Sequence, residues 1–429
     1  MKPSVKNFVR HELGRFLRDS RGATSTLIAI SLLVLLGFAG AATETSVWFV
    51  GKRNLQGAAD AAAFGAALAS GGGNTVLQTE AKATTSRYGY VDGTNGVVVT
   101  VNKPPMSGRF NGNIHAVEVI IEQPQKRSFS ALFLNTALTL RGRAVSTIQF
   151  GAPACVLALN AGANVDVLVN GTTNVNLNGC SLAVNSPGSS ALDIVGNAII
   201  NAASAQIVGG VAGNGTLTTS LGVETGAPPT QDPYAGTTIP AFSGCDINNA
   251  NVGSHTNQPA FDAGGGTKVI CGGVGAGSQS SLTFQNGTFI VDGGSFTANS
   301  GSTITVQNAT IILTSSTGTN YPNVNIAGGS TVNMSAPTTG PFAGIAMMQD
   351  PNTPLNTQNN FLGGSSQNIN GVLYFPATDM KFAGGATSGG ASCTQIVADQ
   401  VTFAGNVQLN SNCNGSGTKK ITSPPQLVE

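Results

Sequence analysis

Between Ala23 and Thr43 the chain carries no charged side chain and is mostly apolar. At 1.5 Å per residue a helix of that length rises about 31 Å, enough to cross the hydrocarbon core of a bilayer. The preceding residues hold Lys2, Lys6, Arg10, Arg15, Arg18 and Arg21 against Glu12 and Asp19. By the positive-inside rule, residues 1–22 are a basic tail kept in the cytoplasm, 23–43 a transmembrane helix, and everything beyond lies across the membrane. The competing expectation is a cleaved secretory signal, with Ala39-Gly40-Ala41 as the cleavage site. The apolar run is longer than an ordinary signal core and leads directly into more helix, so the anchor reading is preferred. Both readings export the body.

The segment 44–70 has high helix propensity and small residues every four positions, Gly57, Ala61, Gly65 and Ala69. Small residues at that spacing let a second helix approach closely. Trp48, Lys52 and Arg53 suit the membrane–water boundary. The expectation is one continuous helix, half in lipid and half in the exported compartment, ended by Gly71-Gly72-Gly73. Residues 74–150 read as a small α+β module. Its elements are a helix near Thr75–Tyr88, strands at Gly96–Asn102 and Ala116–Glu122, a short amphipathic helix near Phe129–Leu134, and a last strand at Leu138–Gln149.

Charge divides the chain. Residues 1–150 hold 16 Lys and Arg against 8 Asp and Glu, whereas residues 151–429 hold 4 against 11, with no Arg after Arg143. A body so poor in cations cannot neutralise a phosphate backbone, which excludes nucleic acid as its partner. Its polarity comes from Asn, Thr, Ser and Gln. Short apolar runs such as Val165–Val169, Thr288–Val291, Thr303–Val306, Thr310–Leu313 and Val372–Phe375 alternate with Asn- and Gly-rich turns. The fold expected for 151–429 is a right-handed parallel β-helix, with a β-sandwich as the alternative; the whole chain is mainly β. No strict repeat period is visible.

All six cysteines, Cys155, Cys180, Cys245, Cys271, Cys393 and Cys413, fall in this body. None forms C-x-x-C, and an even number in an exported segment favours disulfides. Clustering along the chain suggests the local pairs 155–180, 245–271 and 393–413 out of 15 arrangements. Each such loop would add about 3 kcal/mol in the chain-entropy model.

Little in the body resembles catalytic machinery. It has one histidine, His255, in a polar turn-like stretch, and no G-x-S-x-G elbow. The runs Gly264-Gly265-Gly266 and Gly272–Gly277 do not match a phosphate-binding loop. Asp232, Asp246, Asp262 and Asp292 are the acids that stacking could bring together for glycoside chemistry. No enzyme, metal or cofactor is expected.

Arg21-Gly22, the apolar run and then Arg53-Asn54-Leu55-Gln56-Gly57-Ala58-Ala59-Asp60-Ala61-Ala62 resemble the N-terminal segment, here 21–70, of TadG-like proteins of the tight-adherence (Flp) pilus-assembly system. More faintly, Gly344–Asp350 and Gly371–Pro376 resemble segments of the Cys-containing ectodomains seen on such proteins. The resemblance implies a single-pass inner-membrane protein, its body periplasmic, that assists assembly or anchoring of a thin pilus. Its partners would be other assembly or pilin-like proteins, met through the N-terminal helix. Arg53, Leu55, Gln56, Gly57, Asp60 and Ala61 are the residues expected at that contact. The fifth position after Gly22 is Leu27 where processed pilins carry Glu, so polymerisation as a pilin is not expected, and the D-x-S-x-S of a von Willebrand A domain is missing. The alternative function is a secreted or surface-exposed adhesin whose Asn/Thr face binds carbohydrate.

Overall fold

The computed structural model describes residues 23–133, 135–136, 138–147, 152–362, 366–383, 386–387, 393–423 and 425–429. The basic tail, with Arg21-Gly22, and the end of the strand expected to reach Gln149 therefore lie outside the described residues. The chain divides into two compact units, one of residues 1–148 with 425–429, the other of 149–424.

In the first unit, helix α1 (Ala23–Leu68) runs unbroken through the apolar stretch and the alanine-rich stretch. A single turn of 3-10 helix, Ala69–Gly72, and Gly73 at φ +88° close it, and α2 (Asn74–Arg87) follows. Strands β1 (Val98–Asn102), β2 (Ala116–Gln125) and β3 (Leu138–Thr147) form an antiparallel sheet. Its fourth strand is Gln426–Leu427, which pairs with β3 through Thr147 and Ser146. By sequence alone these last residues group with the body. Two residues of strand carry no periodicity, so only the pairing reveals where they belong.

The two halves of α1 differ in what they touch. Leu27–Leu36 and Phe38 stand exposed, whereas Leu55, Ala58, Ala59, Ala62, Ala63 and Ala66 are fully buried. The alanines bring the helix close to the sheet, where Val117, Val119, Ile121 and Ala144 meet them. Alternation along β2 directs Val117, Val119 and Ile121 to the helix and Glu118 to the opposite face.

The second unit is a 24-stranded sheet in which the strand pairings are parallel. Antiparallel sandwich pairing does not describe it. Three ladders of strands recur. One runs through Val269, Ile290, Ile312, Met348, Tyr374, Val397, Leu157, Ala183 and Gln206 to Glu224. The second includes Phe361, Phe382, Phe403, Val169 and Ile194, and the third Thr305, Asn333 and Asn368. The first segment to stack, 154–225, begins in the middle of the ladders, because Val156 pairs with Ile396 near the other end of the chain. The absence of a sequence period has a structural cause. Gln206 pairs with Glu224, 18 residues on, while Leu313 pairs with Gln349, 36 residues on, so the turns absorb the difference.

Inward-facing side chains from the three ladders form one continuous core. Within it Phe361, Phe382 and Phe403, aligned in register, stack with centroids 5.1 and 5.7 Å apart. The first ladder is buried on both faces, which explains its unbroken apolar runs. Its outer side chains, among them Ile290, Ile312, Met348, Tyr374 and Val397, are covered by Tyr234, Ile239 and Phe242 of the irregular stretch after residue 225 and by Phe342. Gly344–Asp350 and Gly371–Pro376 belong to this doubly covered ladder. Long strands bend between ladders at left-handed residues such as Asn286 (φ +55°) and Asn308 (φ +48°). At Gly287 (φ +139°) a Cβ would sit 2.4 Å from the Gly266 carbonyl oxygen, so the corner admits no side chain.

Disulfides join Cys155 to Cys180, Cys245 to Cys271 and Cys393 to Cys413, with sequence separations of 25, 26 and 20. The first two tie neighbouring layers, the spacing between which is about 4.8 Å for adjacent strands.

Candidate functional site

Helix α1 beyond the apolar stretch has two sides. The closed side is fixed to β3. Leu55 is fully buried, and its backbone lies so near Gly142 that a Cβ there would meet the Leu55 carbonyl oxygen at 2.7 Å. The Gln56 side chain acts as a two-way clamp. Its Nε2 donates to the Arg143 carbonyl at 2.7 Å and to Asp60 Oδ1 at 2.7 Å, and its Oε1 accepts the Arg143 N–H at 3.2 Å. Lys52 Nζ donates to the Arg141 carbonyl.

The open side carries Arg53 and Gly57, both exposed, then Ala61, half-buried, with Phe64 and Leu68 exposed further along. An added Cβ at Gly57 would meet nothing within 4 Å. The six residues singled out from sequence thus divide: Arg53, Gly57 and Ala61 lie on or toward open surface, Leu55 and Gln56 are engaged by β3, and Asp60 is half-buried and bonded to Gln56. Periodicity places residues on one helix face, but which face the protein itself uses depends on the sheet that forms later in the chain.

That sheet is locked by a charge cluster which sequence reasoning missed. Glu118, fully buried, accepts from Asn102 Nδ2 (2.8 Å), Ser107 Oγ (2.8 Å), Arg143 Nε (2.6 Å) and the Met106 N–H (3.2 Å). Burial works to raise its pKa, but these donors together outweigh it and hold the carboxyl down to about 2. Arg143 also donates to Glu429 at 2.5 Å and to the Ser107 carbonyl at 2.7 Å. Arg143 and Glu429 stand 286 residues apart, a separation that leaves no local signal in the sequence.

In the second unit the acids considered from sequence are engaged in hydrogen bonds, some within their own turn and most to residues more than twenty positions away. Asp232 accepts from Tyr374 Oη (2.9 Å) and the Tyr234 N–H; Asp246 accepts the Val269 N–H; Asp262 accepts from Gly264 and Gln285; Asp292 accepts from the Ser316 N–H and hydroxyl. His255 occupies a left-handed turn, φ +61°. Three other carboxylates line one corner on consecutive layers: Asp379, Asp399 and Asp166. Burial pushes Asp166 up to about 8 and Asp379 up to about 6, and the charge of Asp399 adds to both. Asp399 is itself raised by burial, opposed by a hydrogen bond from Asn160. Asp166 Oδ2 accepts the Ser186 N–H at 2.8 Å, while its Oδ1 has no partner. No group of His, Cys, Asp and Glu among the described residues is arranged to hold a metal ion.

α1 is long and apolar enough, by length and composition, to cross a membrane. Residues 22–69 match the family model described as "Putative Flp pilus-assembly TadE/G-like". The N-terminal helix is thus a TadE/G-like pilus-assembly domain. The match ends one residue past α1 and includes both the apolar half and the half docked on β3. No curated protein and no solved structure matches the chain. The N-terminal apolar helix and the three disulfides point to the cell envelope.

Proposed function

We propose that this protein is a single-pass, non-enzymatic component that assembles or anchors a Flp-type pilus, with its N-terminus cytoplasmic and its body in the periplasm. The observation that carries the reading is the coincidence of the matched segment with a helix whose apolar half is largely exposed and whose second half keeps one side open at Arg53, Gly57 and Ala61. Small residues on that side suit close approach by the helix of another assembly or pilin-like protein. The body reads as a right-handed parallel β-helix, its three ladders stacked layer on layer and closed by disulfides. It serves as a rigid structural element, and no cofactor is invoked.

Site-specific photocrosslinking from position 57 in cells tests the contact. Adducts with other proteins of the pilus system support the proposal; crosslinks confined to this chain or to lipid contradict it.

The row of uncharged side chains along the third ladder favours a second reading, an adhesin for neutral carbohydrate. Ser281, Thr303 and Thr331 align in register at one end of the row, and Gln408, Asn176, Asn201 and Thr218 at the other. Digestion of the body by protease added to intact cells supports this reading. Protection until the outer membrane is permeabilised supports the assembly role.

A further inference from the structure

The turn between β2 and β3 has the composition of a membrane-inserting loop. Its 3-10 turn, Ser130–Leu132, leads to two adjacent large apolar side chains that stand exposed, Leu132 (75%) and Phe133 (72%). Phe129 packs beside them, its ring 5.4 Å from that of Phe133. The loop is held against α1 at a definite height. Glu44 accepts the N–H groups of Ser128 (2.7 Å) and Ser130 (2.6 Å), and the Phe129 ring lies directly over Gly40, where a Cβ would come within 2.6 Å of it.

Gly40 lies inside the apolar run, three residues before its end at Thr43, or about 4.5 Å along the helix. Side chains inserted by interfacial elements reach about 5–10 Å into the boundary between headgroups and acyl chains, and the contact at Gly40 sits at the shallow edge of that range. Exposed Lys126 precedes the aromatic turn, placing a cation where anionic headgroups would lie.

We infer that Phe129, Leu132 and Phe133 form a second membrane contact, an aromatic foot that enters the lipid of the leaflet facing the body. This rests on the reading of α1 as a membrane span. A single transmembrane helix leaves the attached domain free to tilt and rotate about it. The foot adds a second point of attachment, so the sheet docked on α1, and with it the open side at Gly57, keeps a fixed attitude to the bilayer.

Trp48 is the single tryptophan, so depth can be read by fluorescence in the full-length protein with Trp48→Phe as background. Phe133→Trp reports on the foot and Leu33→Trp on the middle of the span. Each is reconstituted into vesicles of phosphatidylethanolamine and phosphatidylglycerol whose acyl chains are brominated either near the headgroup or near the chain end. The expected result is blue-shifted emission from the Phe133→Trp variant that is quenched in shallow-brominated vesicles, and emission from the Leu33→Trp variant that is quenched in deep-brominated ones. Quenching of the Leu33→Trp variant with water-like, unquenched emission from the Phe133→Trp variant overturns the foot and leaves the anchor. Absence of quenching in both variants overturns the foot together with the span.

Discussion

Single residues fix how the helix and sheet of the first unit meet. Gly142 exists because Leu55 and its carbonyl occupy the space of a side chain. Gly142→Ala is therefore expected to destabilise the unit by about 1–3 kcal/mol, the range for overpacking a filled site, measured by denaturant unfolding. Arg143 pairs with both Glu118 and Glu429 and donates to the Ser107 carbonyl. Arg143→Ala leaves Glu118 buried without its counter-charge, held only by Asn102, Ser107 and the Met106 N–H, and should cost about 3–5 kcal/mol in the same measurement. Because the folded pKa of Glu118 is depressed from 4.5 to about 2, its contribution is full above pH 4.5 and disappears as pH falls toward 2. Asp166 has the opposite sign. Its folded pKa is raised from 3.8 to about 8, so the second unit loses stability as pH rises through that window. Asp166→Asn should stabilise the second unit by about 1–3 kcal/mol at pH 9 and by little at pH 4, since it removes a buried charge without removing the acceptor for Ser186. A thermal melt of that unit with a pH-independent difference between variants would contradict this.

Among the elements, α1 was the most legible, because its signals are local: an uncharged run, small residues at four-residue spacing, and a glycine stop. The helix Asn74–Arg87 and strands β1 to β3 lie within a few residues of where alternation and composition put them. The short helix near Phe129–Leu134 is a 3-10 turn, and Leu134 lies outside the described residues. What was not legible is the side on which each residue of α1 points. That choice is made by β3, nearly ninety residues downstream, through Gln56 and Arg143. The proposed contact surface is correspondingly narrower than the run of residues singled out. Gly57 separates the two roles of the helix. Gly57→Ala should stabilise the isolated protein by about 1 kcal/mol, since the added methyl meets open space and alanine favours helix. Gly57→Leu should leave folding intact and abolish co-purification with pilus-assembly partners, because a bulky side chain blocks close helix approach. Undiminished co-purification would show that the open side is not the contact.

For the whole molecule, apolar runs and Asn-rich turns announced many short strands, but parallel pairing and the order of stacking are long-range facts. The body starts stacking at Val156, and its strand Ile396–Ala398, near the end of the chain, pairs with that start. The last strand, Gln426–Leu427, joins the first unit beside Thr147, so the body is inserted in the chain between two adjacent strands of the antiparallel sheet. Both connections leaving that sheet give the body two covalent tethers in place of one. The cysteines were readable earlier because their spacing is local, 20 to 26 residues, even though the ladders they tie are not. Thiol trapping tests the central claim of an anchored body in an oxidising compartment. Cells are quenched in acid, fractionated, and alkylated with a mass-tagged maleimide before and after reduction. The account predicts the chain in the membrane fraction with no tag before reduction and six after it; six tags without reductant, or a soluble cytosolic chain, would contradict it.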